Sequence, residues 1–114
     1  MTDEMVQRFS VALARLAGDE DLLIAMATMV TDDAPEVIVR LEQQLEQTEM
    51  EEAAASAHKL KGMLSTFETD SPVAELEEVV HAARGGNSRQ ASESFQACRA
   101  PIHELLREIA ALKN

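Results

Sequence analysis

The sequence predicts an all-α fold, an antiparallel up-down four-helix bundle with an additional short N-terminal helix. Three observations carry that expectation. Ala, Leu, Glu and Gln recur throughout, while there are only 4 Gly, 3 Pro, no Trp and no Tyr; these common side chains lose little rotamer freedom in a helix. Apolar residues return every three or four positions, the spacing of one helical face. No segment alternates apolar and polar residues as a half-buried strand would.

The elements follow in chain order. A first helix is expected from Asp3 to Ala17, with Met5, Phe9, Ala12, Leu13 and Leu16 on one stripe and Gly18 as its stop. Asp19 can cap a second helix that carries Leu22, Leu23, Met26, Met29 and Val30, then Val37, Ile38, Leu41 and Leu45. Pro35 suits either a new first turn or a kink, and one long, kinked helix is preferred. A third helix is expected over Met50 to Glu68. Ser71 offers an N-cap, with Pro72 at the first position of a fourth helix that stops at Gly85-Gly86. Asn87 or Ser88 opens the last helix, with Phe95, Cys98, Ile102, Leu105, Leu106, Ile109 and Leu112 at helical spacing and a bend at Pro101. Short turns between long amphipathic helices imply antiparallel neighbours.

At 114 residues the chain is the size of one domain, expected to span 1–114. With 10 Lys+Arg against 21 Asp+Glu the net charge is −11, so the electrostatic footprint of a nucleic-acid or anionic-membrane binder is missing. A lone cysteine, Cys98, excludes an intrachain disulfide and favours a reducing compartment. Met1-Thr2-Asp3-Glu4 is acidic where a signal peptide would be basic, and the longest apolar stretch, Leu22 to Val30, is too short to span a bilayer. A cytoplasmic monomer is the expectation.

The most informative segment is AAASAHKLKGMLSTF, residues 53–67. On a helical wheel Ala53, Ala57, Leu64 and Phe67 fall within about 60° of Leu60, and His58 about 160° away. His58 is therefore expected in solvent, with Ala54, Ala55, Lys61 and Gly62 as its neighbours on successive turns. A helix-interior glycine costs about 1 kcal/mol relative to Ala, and Gly62 sits beside an exposed histidine where the core gains nothing from it. Two readings stay open on spacing alone. In one, His58 is an ordinary solvated residue and Gly62 marks a packing contact. In the other, Ala54, Ala55 and Gly62 clear space for a second protein to reach the imidazole, Lys61 holds a phosphoryl group and Ser65 adds a hydroxyl donor.

Ala57-His58-Lys59-Leu60-Lys61-Gly62 resembles the H-x-L-K-G signature of histidine-containing phosphotransfer (HPt) domains. The likeness runs from about Phe9 to Leu112. It includes Gly18 through Leu23, Asp33-Ala34-Pro35, and Leu76-Glu77 through Ala82 to Asn87. By that resemblance His58 is the phospho-acceptor, Lys61 steadies the phosphoryl group and Gly62 lets a receiver domain dock, with Ala54, Ala55, Lys59 and Ser65 on the docking surface. The resemblance also implies response-regulator receiver domains and a hybrid sensor histidine kinase as partners. It implies no cofactor or metal of the chain's own, because Mg²⁺ is carried by the receiver. The alternative function is a degenerate relative that docks receivers without carrying phosphate. One departure stands out: Glu68 replaces the glycine common ten residues after the histidine, and it lies on the Lys61 side of the helix, where its charge would offset the lysine.

Other candidates read as structure. Glu78-Val79-Val80-His81 is a single Glu-x-x-His unit where a di-iron bundle needs two. His81 and His103 are expected to be solvated and ion-paired, and Cys98 to be a small buried hydrophobe. The six Met residues are expected mostly to fill core positions rather than form a groove.

Overall fold

A computed structural model describes residues 1–113, and these form six helices: α1 Asp3–Arg8, α2 Ser10–Arg15, α3 Glu20–Glu46, α4 Met50–Leu64, α5 Leu76–Arg84 and α6 Ser88–Ala111. No strand occurs among the described residues. Helix α3 packs against α4 and α6, and α5 packs against the same two, so four helices close a ring around one core. The 27 residues of α3, at about 1.5 Å each, account for most of the 43 Å long axis. Connections of three residues, 47–49 and 85–87, leave packed neighbours no option but to run antiparallel.

Local chemistry explains the boundaries. The Asp19 carboxylate accepts from the Leu22 N–H at 3.0 Å and starts α3. Pro35 lies inside α3, as the preferred reading required, and the helix continues through it. Pro35 offers no N–H to the Thr31 carbonyl, but Ala34, Val37 and Ile38 beside it are all buried, so burial holds the helix together there. At the far end the Glu49 N–H donates to the Gln44 carbonyl at 2.8 Å across Thr48, whose φ is +55°. This is a Schellman-type stop made without glycine. Asn87 caps α6 by accepting from the Gln90 N–H at 3.1 Å.

Three expected boundaries are corrected. The single helix Asp3–Ala17 is two short ones, because the backbone opens at Phe9 (φ −108°, ψ 28°). The opening turns the Phe9 ring into the core, edge-on to Phe67 at 5.9 Å between centroids. Helix α4 ends at Leu64 rather than Glu68. There Arg15 donates to the carbonyls of Ser65 and Thr66, both at 3.2 Å, supplying partners for groups a helix end leaves free. Helix α5 begins at Leu76, not Pro72, and Ser71 does not cap it: its hydroxyl donates to the Glu75 carboxylate at 2.6 Å. Residues 73–78 turn instead through tighter bonds three residues apart, Leu76 N–H to Val73 and Glu77 N–H to Ala74.

The core is the predicted one, with Leu23, Ile38, Leu41, Leu60, Leu64, Leu76, Phe95, Ile102, Leu105 and Ile109 each at most 1% exposed. The methionines differ from expectation. Met1, Met5, Met26, Met50 and Met63 sit half-buried at the edge of the core, and Met29 is 63% exposed. Cys98 is buried as expected, and that burial, reinforced by the Glu75 and Glu78 carboxylates, pushes its thiol up to about 11. At pH 8 about one molecule in a thousand then carries the thiolate, the reactive form. Iodoacetamide at pH 8 is expected to label native protein about a hundredfold or more slower than urea-unfolded protein, in which about a quarter of an ordinary cysteine thiol is thiolate. Equal rates, followed by intact mass, would contradict the burial.

Candidate functional site

The side chains of interest lie on α4, whose buried stripe of Ala53, Ala57, Leu60 and Leu64 fixes its rotation in the bundle. That rotation turns His58, Ala55, Lys59 and Gly62 outward, and all four are exposed. The imidazole makes no hydrogen bond to protein among the described residues, and the residue as a whole is exposed. Gly62 lies one turn beyond it, and a Cβ built there meets nothing within 4 Å. The packing explanation for this glycine therefore fails, since alanine would fit and would favour the helix.

Two expected members of the site stand elsewhere. Ala54 is only 4% exposed, because it lies at the α4/α5 seam; it lines the floor of a groove with Met50, Glu51, Ala55, Ala83, Arg84 and Gly86. The Ser65 hydroxyl donates to the Lys61 carbonyl at 2.6 Å and is half-buried, so it is occupied within α4 itself. His103 is half-buried with Nε2 unpartnered, while His81 is exposed as expected; neither is ion-paired among the described residues.

Lys61 is a more specific correction. Its ammonium does not meet Glu68, which lies beyond the C-terminal end of α4 and accepts from Arg8 at 3.2 Å. Instead Lys61 Nζ donates to Glu77 Oε2 on α5 at 2.9 Å. Lys61, and more weakly Arg84 and His58, hold the Glu77 carboxyl below the usual carboxylate range. The lysine and glutamate side chains are 35% and 52% exposed, so the pair stands open to water and contributes little to stability. Sequence reasoning missed Glu77 because only the packing of α5 on α4 brings it there.

Packing also names the part of α3 that faces this site. Met26, Met29, Val30 and Asp33 of α3 join Gly62 and Met63 of α4, and Thr66 just beyond it, around a groove of about 210 Å³. Gly62 is thus the low rim of an apolar trough floored by methionines. Its signal was present in the sequence: Met29 lies about 120° off the line of Leu23, Ala27 and Val30 on a helical wheel, too far round to reach the core.

The chemistry of the arrangement is that of a nucleophile on a rigid helix, reachable from outside, with an ammonium one turn away and no enclosed cavity of its own. No helix is long and apolar enough to cross a membrane among the described residues. Comparison with curated proteins and with solved structures found no match. A family model described as the Hpt domain matches residues 25–114, a span that holds His58, Lys61, Gly62, Glu77 and the α3 side of the methionine groove. The exposed histidine, the open glycine and this match over most of the chain converge on one conclusion: the chain belongs to the Hpt domain family.

Proposed function

We propose that the chain is a phosphorelay intermediate in which His58 accepts a phosphoryl group from a receiver-domain aspartate and passes it to another. Hpt domains are phosphotransfer modules of two-component signalling, and the reading of this chain as one rests chiefly on a single observation. His58 stands in solvent on a fixed helix, beside a glycine with open space where a side chain would be.

In the transfer, the lone pair of an unprotonated imidazole nitrogen attacks phosphorus and forms an N–P bond. The P–O bond to the aspartyl oxygen breaks, and its electron pair stays on the carboxylate. A neutral imidazole is nucleophilic, and the ring nitrogen is a fair leaving group in the reverse direction, as a carrier needs. Lys61 supplies charge-assisted hydrogen bonds to the phosphoryl oxygens. Mg²⁺ belongs to the acidic pocket of the receiver in this reading. The trough of Met26, Met29, Val30 and Met63 offers the apolar centre, and Lys59 the cationic rim, of a modest transient interface.

Transfer from a phosphorylated receiver tests the proposal, with acid-labile label expected on the chain. Within that assay Lys61→Ala is expected to slow transfer about tenfold, the worth of one charge-assisted hydrogen bond. Lys59→Ala, about 100° round the helix from His58, is expected to change it less. Equal effects of the two variants would remove Lys61 from the phosphoryl site.

A further inference from the structure

Lys61 stands between two anions, one present and one incoming. We propose that Glu77 is a positioning residue that competes with the phosphoryl group for Lys61, and so shortens the life of phospho-His58 and favours its onward transfer. The inference rests on the phosphotransfer reading of His58.

Geometry carries it. Lys61 is three residues beyond His58 on α4, a spacing that places their Cβ atoms roughly 5–6 Å apart. Its Nζ is held sideways, toward α5, by the 2.9 Å bond to Glu77 Oε2. Arg84 follows Glu77 by seven residues and so lies on the same face of α5. Glu77 is thus a carboxylate placed among Lys61, Arg84 and His58, each of which favours its charge. It therefore remains an anion through the neutral range.

An exposed pair of this kind exchanges cheaply, and a phosphoryl dianion on His58 is a stronger partner for the ammonium. When Lys61 turns to the phosphoryl oxygens, Glu77 loses its closest cation and keeps its negative charge beside a second anion. Both consequences weigh on the phosphorylated state and not on the free one. Removing the carboxylate charge leaves Lys61 to the phosphoryl group alone. In the loss reaction the N–P bond breaks, its electron pair returns to the ring nitrogen, and water supplies the oxygen of the new P–O bond and the protons released with it.

The test uses the full chain, phosphorylated chemically with phosphoramidate, with the decay of phosphohistidine followed by ³¹P NMR. Wild type is expected to label at His58, and phospho-Glu77→Gln to outlive it about 2- to 5-fold, the range open to an exposed ion pair. Circular dichroism and a parallel Glu77→Ala variant separate this from a folding effect. On a Lys61→Ala background the Glu77→Gln gain is expected to shrink, because the exchange no longer exists. A label with equal or shorter life in Glu77→Gln overturns the proposal. So does an undiminished gain without Lys61, which would put Glu77 directly on the phosphoryl group. No label at all in wild type defeats the phosphotransfer reading itself, and this inference with it.

Discussion

Gly62→Leu is expected to slow phosphoryl transfer by about a hundredfold or more, the scale on which displacing reacting atoms by an ångström acts. Helix content should be unchanged. The reason lies in what surrounds the residue: a Cβ built at Gly62 meets nothing within 4 Å, so a side chain can begin there without displacing its neighbours. A leucine there would instead rise from the rim of the groove formed with Met26, Met29, Val30 and Met63, one turn from His58, and hold an incoming protein away from the imidazole. Gly62→Ala makes the complementary point. Relief of the helix-interior glycine is expected to raise stability by about 0.5–1 kcal/mol, visible as a higher melting temperature. Wild-type transfer by Gly62→Leu, in a time course against a phosphorylated receiver, would show that the open space serves no approach.

The second large effect is on stability. Leu60 lies between His58 and Lys61 in sequence yet points the opposite way, and it is fully buried among the four packed helices. Leu60→Ala is expected to cost about 2–5 kcal/mol, the transfer term plus a cavity the rigid neighbours only partly fill. Set against a total stability on the order of 5–15 kcal/mol, that loss lowers the midpoint of urea unfolding sharply. Lys59→Ala, one residue away but in water, is expected to stay within about 0.5 kcal/mol. A Leu60→Ala cost under about 1 kcal/mol, well below the range of buried leucines, would contradict the rotation assigned to α4, and with it the exposure of His58.

Much of this could be read from sequence wherever one periodic stripe decides the answer. The buried line of Ala53, Ala57, Leu60 and Leu64 follows from 3.6-residue spacing, and His58 is exposed because it lies across the helix from that line. Caps written in side chains, Asp19 and Asn87, were equally legible. Stops written in backbone conformation were legible only where glycine marks them. Gly86 (φ +73°) announces the end of α5, whereas Thr48, at φ +55°, gives no sign that α3 ends beside it.

What stayed hidden depends on contacts between elements. The break at Phe9 follows from its ring meeting Phe67, 58 residues away, edge to face. Arg15 reaches the end of α4 through space, and it is this end, not the helix propensity of residues 65–68, that sets where α4 stops. Ser71-Pro72 carries a strong start signal, and the Glu75 carboxylate diverts it by capturing the hydroxyl. Lys61 shows the same limit within the site. Its position beside His58 is local, but its partner is Glu77, on the next helix, rather than Glu68, seven residues further along the chain.

Incubation of the chain with a phosphorylated receiver domain and Mg²⁺, with label followed to individual residues, tests phosphocarriage most directly. The expected result is acid-labile phosphate on His58, transferable to a second receiver and absent from a His58→Ala variant that keeps its helicity. Phosphate that never leaves the receiver, or that persists on the chain in His58→Ala, would contradict it.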